Sequence, residues 1–288
     1  MLEIPLWLGA AAAFMMGACI GSFVNVAAYR IPRELSVVAP RSFCPQCRRQ
    51  LPNWANVPIL AYIFLRGRCH MCGAAIPFRY FLTELALATA ALYLYLGFPF
   101  SDGFARFILC ATLYAVALID FDWRVIPNLL TLGAIPVGIL LASLAMPEIG
   151  WMNSLIGIVV GAGFLFITGE VYTLIRKAEG VGLGDVYLMG MTGAFLGWAG
   201  VLFTLFVGSL FGSVGGVAFA LSGGAPGPPE EEIPAAIAEV TGRTSGSLEA
   251  ARPAGLLRTE VPFGPFLALA AAIFALFQPQ LTHWYLAH

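Results

Sequence analysis

Asp185-Val-Tyr-Leu-Met-Gly-Met-Thr-Gly-Ala-Phe-Leu-Gly-Trp-Ala-Gly200 opens a run with no further charged residue as far as Leu221. As one helix, residues 185–221 would be about 55 Å long, too much for a hydrocarbon core of about 30 Å. A hairpin near Leu196-Gly-Trp-Ala-Gly200 resolves the excess but leaves its first arm only about 20 Å long. Either the bilayer thins there or Asp185 lies below the headgroups. This stretch therefore reads as two membrane helices with a carboxylate at the entrance.

The rest of the chain agrees. Hydrophobic residues make up 59% and charged residues 11%, whereas soluble domains run near about 25% charged. Period-two alternation is absent, which argues against a β-barrel. The expectation is an all-α polytopic membrane protein with about eight transmembrane helices. Nearly uncharged stretches place them at Leu6–Ala28, Phe81–Leu96, Gly103–Ile119, Ile126–Met146 and Trp151–Ile175, then Asp185–Gly197, Gly200–Leu221 and Phe263–Tyr285. Without a basic leader before the first span, a cleaved secretory signal is not expected.

Basic residues set the topology. Arg30, Arg33, Arg41, Arg48, Arg49, Arg66, Arg68 and Arg79 follow the first span. Arg124, Arg176, Lys177, Arg243, Arg252 and Arg258 fall in later loops on the same side, leaving Arg106 alone on the other. The positive-inside rule then puts both termini outside and these loops in the cytoplasm. Residues 1–100 hold two spans and a cysteine-bearing loop, and residues 101–288 hold six spans. The Pro-, Gly- and Glu-rich segment 222–261 reads as a mobile cytoplasmic loop. Glycine pairs four apart, Gly17/Gly21, Gly157/Gly161, Gly193/Gly197, Gly208/Gly212 and Gly212/Gly216, read as helix-packing faces.

The first cytoplasmic loop contains Cys44-Pro-Gln-Cys47 and Cys69-His-Met-Cys72. Two such pairs about twenty residues apart suit one tetrahedral ion, so Cys44, Cys47, Cys69 and Cys72 are expected to bind a structural zinc. Two disulfides are the competing reading, disfavoured in a reducing compartment. Four thiolates close the shell, which assigns this zinc to stapling rather than catalysis. His70 is expected as a neighbour, not a ligand. Cys19 and Cys110, in spans, read as small core residues.

The chain has four aspartates. Asp120 ends the third span and Asp185, preceded by Gly182-Leu183-Gly184, begins the sixth, so both are expected at the cytoplasmic rim. Two facing carboxylates can share one proton, one acting as base on water while the other polarises a scissile carbonyl. The histidines lie in the loop and the far tail, which argues against a His-based triad. Helix dipoles favour charge at Asp185 and disfavour it at Asp120, so Asp120 is expected to hold the shared proton more of the time. Glycines before Asp185 would let an extended substrate come close. A plainer reading makes Asp185 a helix cap and Asp122 a surface partner of Arg124. Two other classes fit the same features: a non-enzymatic zinc-capped membrane assembly protein, and a transporter carrying protons on its carboxylates. Glu170, late in the fifth span, is expected to need a partner such as Arg176.

Four features together resemble the type IV prepilin peptidases. Gly21-Ser-Phe-Val-Asn-Val-Ala-Ala-Tyr-Arg-Ile-Pro32 is similar to that family's segment after its first span. The four-cysteine loop, with Leu65-Arg-Gly-Arg-Cys69 and Arg79-Tyr-Phe-Leu-Thr-Glu84, resembles its bacterial branch. Asp120, six residues before Ile126-Pro127, and Gly182-Leu-Gly-Asp185 match its two catalytic aspartates; spacing to Ile-Pro favours Asp120 over Asp122. Pro262-Phe-Gly-Pro265 resembles its last-span signature.

The resemblance implies cleavage of the leader of prepilins or pseudopilins at the cytoplasmic face of the bacterial inner membrane. It also implies N-methylation of the new N-terminus with S-adenosylmethionine. Residues 1–100 would be the methyltransferase-like region and 101–288 the peptidase. Gly182, Gly184 and Glu84 would lie next to substrate; an acid at Glu84 would hold the cap or contact the substrate amine, and a plain cap for its own helix is read equally. The partners implied are prepilins and lipid, with no nucleic acid. No glycine-rich nucleotide fingerprint marks a methyl-donor site, so that activity rests here on resemblance alone. Asn128 stands where many relatives have a third aspartate, and the 222–261 loop is long for the family.

Overall fold

A computed structural model describes residues 5–177, 181–221 and 263–286; the loop predicted at 222–261 lies outside the described residues. Its helices are α1 (Leu6–Arg30), short α2 (Leu60–Phe64), α3 (Phe78–Gly97), α4 (Phe100–Trp123), α5 (Asn128–Leu144), α6 (Gly150–Arg176), α7 (Leu183–Leu221) and α8 (Gly264–Leu286). No strand occurs among the described residues.

Prolines punctuate the helix starts. Pro5, Pro77, Pro99 and Pro127 stand just ahead of α1, α3, α4 and α5 with extended ψ. Proline's fixed φ and missing N–H suit it to a helix entrance and not to an interior. Six helices are long and apolar enough to cross a membrane, and α5, apolar but shorter, adds a seventh. Trp7, Leu129, Leu174 and Phe206 are between 72% and 78% exposed on the outer surface. Leaving each such side chain in water forgoes about 1.5–3 kcal/mol, so lipid is their solvent. The protein is multi-pass.

α7 is a hairpin, as expected. Gly197 leaves the helical region with φ 67° and ψ −174°. A Cβ on Gly161 of α6 would lie 2.6 Å from Met189 O and 3.2 Å from Val201 Cγ2. In a straight helix those residues are about 18 Å apart along the axis; only a chain that doubles back brings both to one glycine. Both arms reach the same end of the bundle: Gly184 backs onto Ile126, and Gly212 packs on Phe263. Counting α5 and both arms of α7 gives about eight apolar segments.

Small residues let the helices touch. Added Cβ atoms on Gly17 and Gly21 would sit 2.5 Å from Leu87 O and 2.7 Å from Glu84 Cα, which locks α1 against α3. Gly157 and Gly193 meet backbone to backbone where α6 crosses α7, and Ser154 Oγ donates to Ala194 O at 2.7 Å. The expected packing faces at Gly17/Gly21, Gly157/Gly161, Gly193/Gly197 and Gly208/Gly212 thus coincide with contacts. Arg106, away from the other basic residues in sequence topology, is 1% exposed. It donates to Asp102 Oδ1 at 2.7 Å and to Ala275 O at 2.9 Å, tying α4 to α8.

Candidate functional site

Asp120 occupies the last turn of α4 and Asp185 the first turn of α7. Sixty-five positions apart in sequence, they come within electrostatic reach of each other because the first arm of α7 runs beside α4 and α5. Asp120 is 6% exposed and accepts a hydrogen bond from the backbone N–H of Gly264, the first residue of α8. Asp120 is also the charged neighbour that acts on Asp185. Asp185 Oδ1 is buried without a hydrogen-bond partner among the described residues. A buried acceptor left bare costs about 1–3 kcal/mol, and a proton or water held between the two carboxylates would relieve it.

Two residues that shape this pair were not anticipated by role. A Cβ at Gly264 would lie 2.5 Å from Asp120 Oδ2 and 3.1 Å from Ile126 Cδ1. The Pro-Phe-Gly-Pro signature was the available signal, without a function attached to it. Ile126 also fills the space beside Gly184, 2.8 Å from where its Cβ would be. The close approach at Gly184 is therefore to Ile126, whereas Gly182 is exposed, its nearest neighbour Asp185 Oδ2. Gly182 O accepts from the N–H groups of Asp185 and Val186, starting α7.

The four cysteines converge. Their sulfurs all lie within 4.8 Å of one another, and Cys44 Sγ is 3.8 Å from Cys72 Sγ. A tetrahedral ion about 2.3 Å from each thiolate puts sulfurs about 3.8 Å apart; a disulfide would need about 2.05 Å. The cluster can hold a metal. Each knuckle is built alike: Phe43 bridges Gln50 and Arg68 bridges Ala75, with Arg48 and Gly73 at positive φ after the second cysteine. Burial pushes the Cys44 thiol up to about 11. Burial also opposes the Cys69 thiolate, but the N–H groups of Cys72 and Met71 outweigh it and bring that thiol down to about 7.

Glu84 lies inside α3, so it does not cap that helix. Its Oε2 accepts the Ile59 N–H at 2.7 Å, which holds the start of α2 and with it the cap. Glu84 lines a cavity of about 500 Å³ between α1, α3 and the cysteine loop; Asp122 and Trp123 also line it, but Asp120 and Asp185 do not.

Three expectations are corrected. Asp122 pairs with Arg79, at 2.6 Å, and not with Arg124. Glu170 is exposed, and no ion pair joins it to Arg176 among the described residues. Cys110 is buried but Cys19 is exposed, so only the first is a core residue.

Comparison with known proteins follows this division. Residues 15–98 match the bacterial peptidase A24 N-terminal domain, and residues 107–217 match the type IV leader peptidase family. A Myxococcus xanthus protein named prepilin leader peptidase/N-methyltransferase is 32% identical over 93% of this chain and 90% of its own length. Proteins of the same name from Pseudomonas aeruginosa and Burkholderia pseudomallei are 30% and 33% identical, over 94% and 93% of this chain and 91% and 85% of their own. The chain belongs to the type IV leader peptidase family. No solved structure gives a significant match. In this leader peptidase family member, the N-terminal match holds all four cysteines and Glu84, and the second match holds both aspartates.

Proposed function

We propose that this protein cleaves the leader from type IV prepilins or pseudopilins and N-methylates the residue exposed, with Asp120 and Asp185 as the peptidase residues. The observation carrying the reading is that those two carboxylates lie within electrostatic reach of each other at one end of the bundle, one held by Gly264 N–H and the other with a bare buried oxygen. Aspartic chemistry needs such a pair: one carboxylate takes a proton from water as it attacks, and the other lends a proton to the carbonyl oxygen.

The division of labour departs from the helix-dipole expectation. A helix end contributes about 0.3–1 kcal/mol to a nearby charge, and a hydrogen bond to a charged group about 1.5–3 kcal/mol. Gly264 N–H thus favours Asp120 as the anion that activates water, with Asp185 carrying the proton. Gly182, exposed beside Asp185, is where a substrate backbone would lie.

Cys44, Cys47, Cys69 and Cys72 would bind zinc, whose role is to order a loop with little core of its own. The methyl donor would be S-adenosylmethionine. The site would face the cytoplasm of a bacterial inner membrane, with both termini outside, because the basic residues of the described loops gather near the aspartate end. On this reading residues 1–100 serve methylation and 101–288 proteolysis.

Detergent-solubilised protein incubated with a prepilin, with and without S-adenosylmethionine, tests the whole reading by mass spectrometry of the mature N-terminus. Asp120→Asn and Asp185→Asn should each abolish cleavage while leaving the fold intact. Retained cleavage in both would remove the aspartic mechanism.

A further inference from the structure

Phe64 is 78% exposed although it belongs to the cap and not to a spanning helix. Leu60, at 46%, and Ile63, at 55%, share its face of α2, because positions i, i+3 and i+4 line one side of a helix. The other side belongs to the cap: Ala61, Tyr62 and Leu65 line the cavity beneath the cysteine loop, and Leu60, Ile63 and Phe64 do not. Trp54 and Val57, just ahead of α2, are exposed as well. A cap standing in water would leave this patch bare, and large bare apolar patches mark contact with a protein or a membrane.

The contacts of α2 fix its depth. Ile59 N–H, at its start, donates to Glu84 Oε2 at 2.7 Å. Glu84 lies about 9 Å past Phe78 along α3, less the small distance by which a helical side chain leans back toward its N-terminus. In the middle of α2, the Tyr62 ring stands 6.3 Å from that of Phe78 and 5.4 Å from that of Phe81. The short helix therefore lies beside the first two turns of a spanning helix rather than above its end. Phe78 and Leu82 of those turns are themselves 62% and 49% exposed, so the patch continues the lipid-facing surface of α3.

The chemistry changes where α2 stops. Gly67 N–H donates to Tyr62 O at 2.9 Å, and Arg66 and Gly67 have positive φ, which closes the helix with a left-handed turn. That turn leads the chain through exposed Arg66 and Arg68 to Cys69. Apolar side chains followed by arginines suit the boundary between acyl chains and phosphates, where long basic side chains reach up to the headgroups.

We propose that α2 is a membrane foot of the cap: Leu60, Ile63 and Phe64 insert among the acyl chains, and Arg66 and Arg68 hold phospholipid phosphates. The leaflet is the one at the aspartate end of the bundle, where Arg79 at the start of α3 reaches Asp122 at the end of α4. The occupant is lipid rather than a protein partner, because the patch runs without a break into the lipid-facing side of α3 and lies at the depth of its first turns. The foot gives the cap a second attachment to the membrane, directly before the Cys69 knuckle, and so holds that knuckle against the surface from which α3 descends.

Photolabelling tests this on the full-length protein in phospholipid vesicles doped with a phosphatidylcholine that carries a diazirine near the carbonyl end of one acyl chain. After irradiation and trypsin, label is expected in the peptide spanning 50–66, at Leu60, Ile63 or Phe64. The peptide spanning 125–176 is the internal control, since it carries lipid-facing Leu129 and Leu174. Label on 125–176 with none on 50–66 overturns the proposal. Phe64→Trp, which keeps an apolar aromatic at the tip of the foot, supplies a second reading. The fluorescence it adds over the parent should fall by at least about half in vesicles of lipids brominated near the headgroup and should resist aqueous iodide, as fits a side chain about 5–10 Å into the interface. Quenching by iodide without loss to the brominated lipid also overturns it.

Discussion

Arg79 Nη1 lies 2.6 Å from Asp122 Oδ2, joining the start of α3 to the end of α4 two residues past Asp120. The pair is partly exposed, at 47% and 20%, and exposed ion pairs contribute about 0–1 kcal/mol. Its substitution should therefore separate the two neighbouring aspartates by role. Asp122→Asn should lower prepilin cleavage by no more than about tenfold, whereas Asp120→Asn should lower it at least about a thousandfold. Initial cleavage rates of the two purified variants decide this; equal losses would mean that Asp122 is itself part of the peptidase.

Gly264→Ala should damage catalysis more than stability. The new methyl would come within 2.5 Å of Asp120 Oδ2 and 3.1 Å of Ile126 Cδ1. Overpacking of this kind costs about 1–3 kcal/mol, which the membrane bundle can absorb. The carboxylate, however, must move, and displacement of a reacting group by about 1 Å can cost about 100-fold in rate. A melting temperature only modestly lowered, with cleavage reduced about 10- to 100-fold, is expected. Unchanged kinetics would show that Asp120 tolerates the shift.

Much of this is legible in the sequence, and particular residues show why. The uncharged run after Asp185 was too long for one crossing, so a hairpin followed from length alone, and Gly197 supplies it. The cysteine spacing constrained the local backbone so tightly that the knuckles could hardly fold otherwise. Rotation about helix axes was the hidden variable. In lipid both the buried and the exposed face of a helix are apolar, so nothing in composition separated exposed Cys19 from buried Cys110, or showed that Glu170 points outward. Contacts between distant segments were hidden for a related reason. Arg79 reaches past Arg124 to claim Asp122, and a main-chain N–H at Gly264 holds Asp120; a backbone donor carries no side-chain signal.

Gly197→Ala should loosen the α7 hairpin. At φ 67° a Cβ is strained, and its nearest neighbours, Asn153 Cβ and O, would stand 3.4 Å away. Strained backbone of this type costs about 1–3 kcal/mol. Since the first arm carries Asp185, the loss should appear both as a lower melting temperature in detergent and as slower cleavage. A variant as stable and as active as the parent would show that the turn adapts.

Metal affinity should rise with pH, and the rise should be less steep above about pH 7. Thiols must lose their protons to bind a metal, so each thiol still protonated is one proton displaced on binding. In the metal-free loop the backbone N–H groups of Cys72 and Met71 bring Cys69 down to about 7, while burial holds Cys44 up at about 11. Below about pH 7 binding must displace the Cys69 proton as well as the Cys44 proton; above it, the first is already gone. Because Cys69 is depressed from 9.0, the stability its thiolate gives the metal-free loop is complete above 9 and is lost as pH falls through about 7. Competition for zinc with a coloured chelator at about pH 6 and about pH 8 measures the slope, and Cys44→Ser should reduce it by about one proton across the range. One zinc per chain in the parent protein, released by acid together with protease resistance of the loop, is the expected result. A metal-free protein with an equally resistant loop would show that the cysteines hold this region without an ion.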